Sequence, residues 1–269
     1  MLSFYPESLL NKAEIDETEF RRIVVRPTTR MRLTTWNCKG GFVRKHPFIV
    51  ALKPDVLVVP EAEKLGAVTN LLGAKSVSSH HWVGSNPNKG LAVLSYGDYS
   101  FKVHDAYDAQ HRWIVPLAVD GPEPFTLFAV WTVPHVKTRY YVSCLFDALK
   151  SYRTILETER VIWAGDFNQS TLFDSPDDPL HFSRWLSQAA KFGFRSLYHL
   201  KLDYKHGCEA DKTFFLHHDI SKPHHIDYIF AKADIYGNGF DLVVGRHAVW
   251  AKLSDHMPLT LTTWSRQEA

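Results

Sequence analysis

The chain is 269 residues long, has a formal net charge of +2, and is 45% hydrophobic and 22% charged. This composition excludes disordered, collagen-like and coiled-coil proteins, and the length is sufficient for one large hydrophobic core. Because the net charge is small, any field that binds phosphate groups has to be local.

The N-terminal segment and the cysteines bear on where the protein works. Residues 1–30 combine a short helical pattern, an acidic patch and several arginines, without a signal or transit pattern. We expect them to be an extension of unknown role, followed by one α/β domain over residues 31–265 and a tail over 266–269. Cys38, Cys144 and Cys208 form no CxxC pair, which predicts a reducing, cytoplasmic location. No apolar run is long enough to span a membrane, so we expect no membrane partner.

Short apolar runs predict strands along the whole domain. In chain order they cover residues 32–37, 56–60, 90–95, 113–119, 125–131, 161–164, 225–230 and 259–263. Several of these runs are hydrophobic at consecutive positions, which is typical of strands covered on both faces. Apolar residues at helical spacing predict a helix over residues 141–157 and a second helix over 180–192 that closes at Gly193.

Acidic, amide and histidine side chains lie at the ends of four of the predicted strands. They are Asn37 after LTTW, Glu61 after VLVVP, Asp166 and Asn168 in GDFN after VIWA, and Asp255 and His256 in SDH before the last strand. A carboxylate at the mouth of a buried strand is costly unless it is solvated, paired or bound to a cation. In extended backbone, residues i and i+2 project to the same side, so Asp166 and Asn168 are expected to reach one reacting centre.

The order of these motifs, together with IDYIF, resembles the endonuclease/exonuclease/phosphatase superfamily, which includes deoxyribonuclease I and the exonuclease-III-type apurinic endonucleases. The phrases NKGLAV, KPHHIDYIFA and SDHMPL are similar to bacterial members of that superfamily. The resemblance covers residues 32–263. It implies a four-layered α/β sandwich, with two mixed β-sheets packed face to face, helices outside and an active site at one rim.

The resemblance also implies a role for each of these residues. Glu61 holds the divalent cation, with Asn37 and Asp255 beside it, and oxygen ligands of this kind select Mg²⁺ or Mn²⁺. The implied catalytic residues are Asp166 for orienting or deprotonating the attacking water, Asn168 and Asn37 for fixing water and phosphate, and His256 with its carboxylate partner Asp227 for binding phosphate oxygens.

Substrate contacts are less clearly marked in the sequence. The candidates are Lys89, Arg112, His135 and Arg139 for binding phosphate, and Trp131 and Trp36 for stacking on a base or sugar. Four further histidines, at positions 217, 218, 224 and 225, suggest zinc. Since consecutive strand residues face opposite sides, we expect no histidine zinc site there.

These patterns lead to the hypothesis of a metal-dependent phosphodiesterase, with a nuclease favoured. A phosphatase for a small phosphorylated metabolite or lipid headgroup is one alternative, and a catalytically inactive binding module is another. The sequence leaves open the choice between DNA and RNA and the oligomeric state, for which a monomer is favoured.

Overall fold

Two six-stranded sheets and a two-stranded ribbon form the framework of the computed structural model, which describes residues 29–64, 77–133 and 141–264. The first sheet contains β1 Thr29–Thr35, β2 Val56–Ala62, β3 Val77–Asn86, β4 Lys89–Tyr96, β13 Phe240–Val244 and β14 Leu259–Trp264. The second contains β5 Ser100–Val103, β6 Ile114–Asp120, β7 Phe125–Trp131, β8 Val161–Asp166, β9 Arg195–Ser196 and β12 Asp227–Ala231. The ribbon pairs β10 Phe214–Phe215 with β11 Pro223–His224.

The helices in the described ranges are short to medium in length. They are α1 Phe42–Val50, α2 Tyr141–Ser151, α3 Arg153–Thr158, α4 Phe182–Lys191, α5 Leu197–Leu202, α6 Ala233–Tyr236 and α7 His247–Trp250. None of the helices in the described part of the chain is long and apolar enough to cross a membrane.

Both sheets are mixed. Their strand orders are β13-β14-β1-β2-β4-β3 and β5-β6-β7-β8-β12-β9. Each contains one parallel pair, β1 with β2 and β7 with β8, among antiparallel neighbours. The two parallel pairs matter for the site, because the carboxyl ends of parallel strands lie at the same edge of a sheet.

Alternate side chains of the central strands fill different cores, which creates the layers. In β2, Val56 and Val58 pack between the two sheets, whereas Leu57 and Val59 pack on the outer face with residues of α1. Strands β7 and β8 alternate in the same way, and α2, α3 and α4 cover their outer face. Burial of each such side chain contributes roughly 1.5–3 kcal/mol. The predicted four-layered sandwich is therefore confirmed.

All of the predicted strands are present, with ends shifted by a few residues, but the helix predicted over 141–157 is interrupted. It breaks at Tyr152, between α2 and α3, where the tyrosine ring packs on Phe128 and the hydroxyl accepts a hydrogen bond from the Asp108 N–H. Gly193 follows the end of α4 with φ +88°, as predicted for a helix terminator. Residues 1–28 and the tail, 266–269, lie outside the described residues.

Candidate active site

The polar strand ends meet at one rim of the sandwich. Asn37 lies two residues after the end of β1, and Glu61 lies near the end of β2. The backbone N–H of Gly40 donates to the Glu61 carbonyl at 3.1 Å. In the second sheet, Asp166 ends β8 and is the register partner of Asp227, which begins β12. The first sheet therefore places an amide and a carboxylate at this rim, and the second sheet places two carboxylates there.

Asp166 lies at the centre of the cluster and is 1% exposed. Its Oδ2 accepts hydrogen bonds from Asn37 Nδ2 at 2.9 Å and from Asn168 Nδ2 at 3.1 Å, and its Oδ1 accepts one from the Asn168 N–H at 2.9 Å. The bond from Asn37 crosses from one sheet to the other. Asn168 reaches Asp166 through a left-handed turn, with φ +48°, and not through the two-residue period of a strand.

The position of Asp166 depends on the glycine before it. Gly165 has φ +151°, and a Cβ atom built there would lie 1.8 Å from the carbonyl oxygen of Val130 on the neighbouring strand β7. No side chain fits in that space. The close approach of β7 and β8 thus requires glycine at the position that leads into Asp166.

His256 and Asp227 form the second part of the cluster. The Nδ1–H of His256 donates to Asp227 Oδ2 at 2.9 Å, and both side chains are buried. Single ligand atoms of Asp166, Asp227 and His256 lie within 4.8 Å of one another. Asp227 Oδ1 is buried without a hydrogen-bond partner. The structure therefore brings together residues that are far apart in sequence, as the motif order predicted.

The ionisation of this cluster is set by burial and by mutual charge. Burial and the nearby Asp227 carboxylate raise the pKa of Asp166 to about 7, against the opposing effects of His256 and Asn37. Burial lowers the pKa of His256, but the carboxylates of Asp227, Asp166 and Asp255 outweigh it and raise that pKa to about 9. Near neutral pH, His256 is therefore protonated while Asp166 can accept a proton.

Two lysines pair with the carboxylates that the family resemblance assigns to a cation. Lys89 Nζ lies 3.0 Å from Glu61 Oε2, and Lys39 Nζ lies 2.7 Å from Asp255 Oδ2. Carboxylate oxygens suit a hard divalent cation, and Asp227 Oδ1 is a further carboxylate oxygen that is buried without a hydrogen-bond partner. The chemistry of these donors therefore fits a divalent metal, and the assignment of Glu61 and Asp255 to it stays a prediction.

Two buried hydrogen bonds that were not predicted connect the segment after β1 with the SDH motif. Trp36 Nε1–H donates to the His256 carbonyl at 3.0 Å, and the Ser254 hydroxyl donates to the Asn37 carbonyl at 2.7 Å. Trp36 is fully buried, so the prediction that it stacks on a base or sugar is wrong. The SDH motif contained Ser254, but nothing in the sequence indicated its bond to Asn37.

Besides Trp36, three predicted substrate contacts are described, and they surround a pair of tryptophans of which Trp131 is next to Asp166. Trp131 is the register partner of Asp166, and its ring packs edge-on against Trp113 at 4.8 Å. Lys89 Nζ lies 5.6 Å from the centre of the Trp131 ring, and Arg112 Cζ lies 6.0 Å from that of Trp113. Trp131 itself is 5% exposed, which leaves little of its ring for stacking.

The remaining predictions concern two phosphate-binding candidates and the four histidines considered for zinc. His135 and Arg139 lie outside the described residues. Of the four histidines considered for zinc, His218 contacts Lys39 at 2.9 Å, His224 packs on Phe173, and His225 is buried beside Tyr198. These three contacts are in different places and do not bring the histidines together.

Comparison with known proteins gives structural relatives only. No family model matches the sequence, and no curated protein matches it. Solved structures do match. The AP endonuclease LMAP from Leishmania major has a TM-score of 0.68 and 12% identity, and the match covers 98% of this chain and 100% of that one. The 3′ phosphatase NExo from Neisseria, bound to a product DNA hairpin, has a TM-score of 0.65 and 18% identity, and the match covers 87% of this chain and 99% of that one. An AP endonuclease from Archaeoglobus fulgidus also matches, with a TM-score of 0.60 and 20% identity over 86% of this chain and 98% of that one. The predicted resemblance is thus confirmed for the fold.

Proposed function

We propose that this chain, which has the fold of the AP endonuclease structures, is a divalent-metal-dependent hydrolase of phosphodiester bonds in nucleic acid. The observation that carries the proposal is the buried cluster in which Asp166 is held by two asparagine amides and lies beside the Asp227–His256 pair. Burying that many polar groups is costly, and a merely structural strand end does not need them.

Asp166 orients the attacking water and takes its proton. The amides of Asn37 and Asn168 fix the carboxylate by donating to Oδ2. Because burial and Asp227 raise the pKa of Asp166 to about 7, this carboxylate is a stronger base than an exposed aspartate. Asn168 also donates to the Thr132 carbonyl at 3.2 Å, so its side chain is held from two directions.

His256 stabilises the phosphate. Asp227 accepts the Nδ1–H, which leaves Nε2–H of the imidazolium to donate to a phosphate oxygen. The pKa of about 9 keeps that donor protonated at neutral pH. Glu61, Asp255 and Asn37 are the residues that would hold Mg²⁺ or Mn²⁺, which when bound neutralises charge on the phosphoryl oxygens.

Two features favour nucleic acid over a small phosphorylated substrate. Lys39 and Lys89 border the site with side chains 42% and 51% exposed, where they can pair with successive phosphates of a strand. In addition, the similar protein NExo was solved with a product DNA hairpin.

The decisive experiment is hydrolysis by the purified full chain with Mg²⁺ or Mn²⁺. The substrates are single- and double-stranded DNA, RNA, an abasic duplex, a phosphodiester reporter and phosphorylated sugars. We expect metal-dependent cleavage of a nucleic acid, abolished in Asp166→Asn. Cleavage of phosphorylated sugars alone would favour the phosphatase alternative, and no cleavage of any substrate would favour an inactive binding module.

A further inference from the structure

A second group of metal-ligating side chains lies apart from Asp166 and its partners. His199 is on α5, and His206 and Glu209 are in the loop that follows this helix. Single ligand atoms of these three residues lie within 4.8 Å of one another. His199 ends the phrase RSLYH, which is similar to bacterial members of the superfamily, but none of the three residues was predicted to bind a metal.

Two of these side chains have buried polar atoms without partners. Glu209 is 3% exposed, and its Oε2 has no hydrogen-bond partner. The Nδ1 atom of His206 is also buried without one. Buried polar atoms are nearly always hydrogen-bonded, and a bound cation is one of the few alternatives that offsets the cost of their burial.

The third side chain, His199, has one ring nitrogen near an oxygen outside the group and the other near Glu209. Nδ1 of His199 lies 2.7 Å from the hydroxyl oxygen of Ser196, and Nε2 lies 3.1 Å from Glu209 Oε1. Histidine ligands usually donate one ring N–H to a neighbouring oxygen and use the other nitrogen for the metal. The Gly207 N–H also donates to Glu209 Oε1 at 2.9 Å, so the carboxylate is fixed as well.

We propose that His199, His206 and Glu209 bind a transition-metal ion of the zinc class. Two imidazole nitrogens and one carboxylate oxygen are a donor set that suits Zn²⁺ and leaves a position for a fourth ligand. The buried Nε2 of His225, whose ring lies 5.9 Å from that of His199, also has no partner and is a protein candidate for that position.

Binding requires two changes. His199 Nε2, which contacts Glu209 Oε1 at 3.1 Å, has to be unprotonated to bind the ion, so that hydrogen bond is given up. The rings of His199 and His206 are stacked, with centroids 3.5 Å apart and planes inclined by 22°. An ion bound by both rings lies in both ring planes, so the His206 ring has to turn away from the stack. Because its Nδ1 makes no hydrogen bond, the turn breaks none there.

The ion would brace the loop that supports the catalytic strand. This loop continues to Thr213, whose hydroxyl oxygen accepts the N–H groups of Ile226 at 3.0 Å and Asp227 at 3.1 Å. The Thr213 carbonyl also accepts the Met257 N–H at 2.7 Å. We therefore assign the ion a structural role and expect its loss to lower stability more than turnover.

The test uses the full chain stripped with a chelator and then titrated with Zn²⁺ in excess Mg²⁺. We expect one tightly held Zn²⁺ per chain and an increase in Tm of about 5 °C or more at saturation. In crystals, anomalous scattering at the zinc edge should place the ion between His199, His206 and Glu209. A wild-type protein that retains no zinc, or a zinc peak found only at Asp166 and His256, would overturn the proposal.

Two variants separate this site from the catalytic cluster. His206→Asn removes a ligand without removing a hydrogen bond of Nδ1, and should lose the tight zinc and the Tm increase. Asp166→Asn alters the group formed by Asp166, Asp227 and His256, and this variant should retain both the tight zinc and the Tm increase. The reverse result, with zinc lost only in Asp166→Asn, would contradict the assignment, and the crystal measurement on wild type decides the case if His206→Asn does not fold.

Discussion

The group formed by Asn37, Asp166, Asp227 and His256 and the group formed by His199, His206 and Glu209 differ in how the chain assembles them. The first gathers residues between positions 37 and 256 from the ends of buried strands, and the bond from Asn37 to Asp166 joins the two sheets. The second comes from residues 199–209, one short helix and its following loop. The first is fixed by the sandwich itself, whereas the second depends on local contacts. We therefore expect substitutions in the first cluster to change chemistry and those in the second to change stability.

The largest expected effect is at Glu61. Glu61→Gln should abolish metal-stimulated turnover, a loss on the order of 10³-fold or more, because a bound metal supplies several kcal/mol of charge stabilisation. The measurement is the rate as a function of Mg²⁺ concentration, with His206→Asn tested in parallel and expected to keep its Mg²⁺ dependence. Glu157→Gln, in an exposed ion pair with Arg153, is the control for loss of a carboxylate. An unchanged Mg²⁺ response in Glu61→Gln would remove this residue from the site.

Asp166 and Asn168 should behave as one unit. Each substitution to Ala is expected to lower kcat by about 10² to 10⁴, the range of a positioned acid–base group, and the double variant should lose little more than either alone. A double-mutant cycle on kcat measures this coupling. Additive losses would show that the 3.1 Å contact between the two side chains does not matter for the reaction.

Gly165 tests the rigidity of the strand framework. Gly165→Ala should destabilise the fold by about 3 kcal/mol, since the added Cβ collides with the Val130 carbonyl oxygen. Urea unfolding measures this loss. Gly97→Ala is the matched control: φ there is +64°, but nothing lies within 4 Å of the added Cβ, so only the backbone cost of about 1 kcal/mol is expected. Equal losses at the two positions would mean that β7 and β8 can separate.

The pH profile tests the pairing of His256 with Asp227. Turnover should be highest between pH 7 and 9, where Asp166 is ionised and His256 is protonated. Asp227→Asn should move the alkaline limb to lower pH by about one unit or more. Because the folded-state pKa of His256 lies above its ordinary 6.5, its contribution to stability is complete below pH 6.5 and is lost as the pH rises through about 9. If the alkaline limb of the pH profile does not move in Asp227→Asn, the group that titrates near pH 9 is not His256.

The smallest effects belong to the basic residues at the tryptophan pair. Lys89→Ala and Arg112→Ala should each raise KM for a nucleic acid by about threefold to tenfold. Each should also reduce the slope of log affinity against log salt concentration by about one. Lys102→Ala, an exposed lysine on the edge strand β5, is the control and should change neither. If the salt dependence is the same in all three variants, the substrate does not reach these residues.

Sequence patterns predicted the framework well, for a physical reason. Strands such as β2 and β7 are buried on both faces, so their consecutive apolar residues are unmistakable. The edge strands β3 and β13 were not predicted, because their half-exposed residues mix polar and apolar types. Tyr152 interrupts a continuous helical pattern through contacts with distant residues, which periodicity does not reveal.

The candidate site was predictable in its residues and less so in its geometry. Asn37, Asp166 and His256 follow or precede apolar runs, which placed them at strand ends, whereas the common rim and the pairing of Asp227 with His256 came from the family resemblance. The ion pairs of Glu61 with Lys89 and of Asp255 with Lys39 depend on how loops fold back, and the left-handed turn at Asn168 is not marked by glycine. The roles of these residues remain predictions.

The hydrogen bond from Trp36 to His256 has a consequence for how the protein reaches its native state. It spans 220 positions, and the bond from Asn37 to Asp166 spans 129. Contacts this distant along the chain carry a large loop-closure cost and form slowly compared with local ones. The reactive geometry should therefore arise only in the last stage of refolding, when the two sheets close on each other. Recovery of turnover should then lag behind recovery of helical and strand circular dichroism.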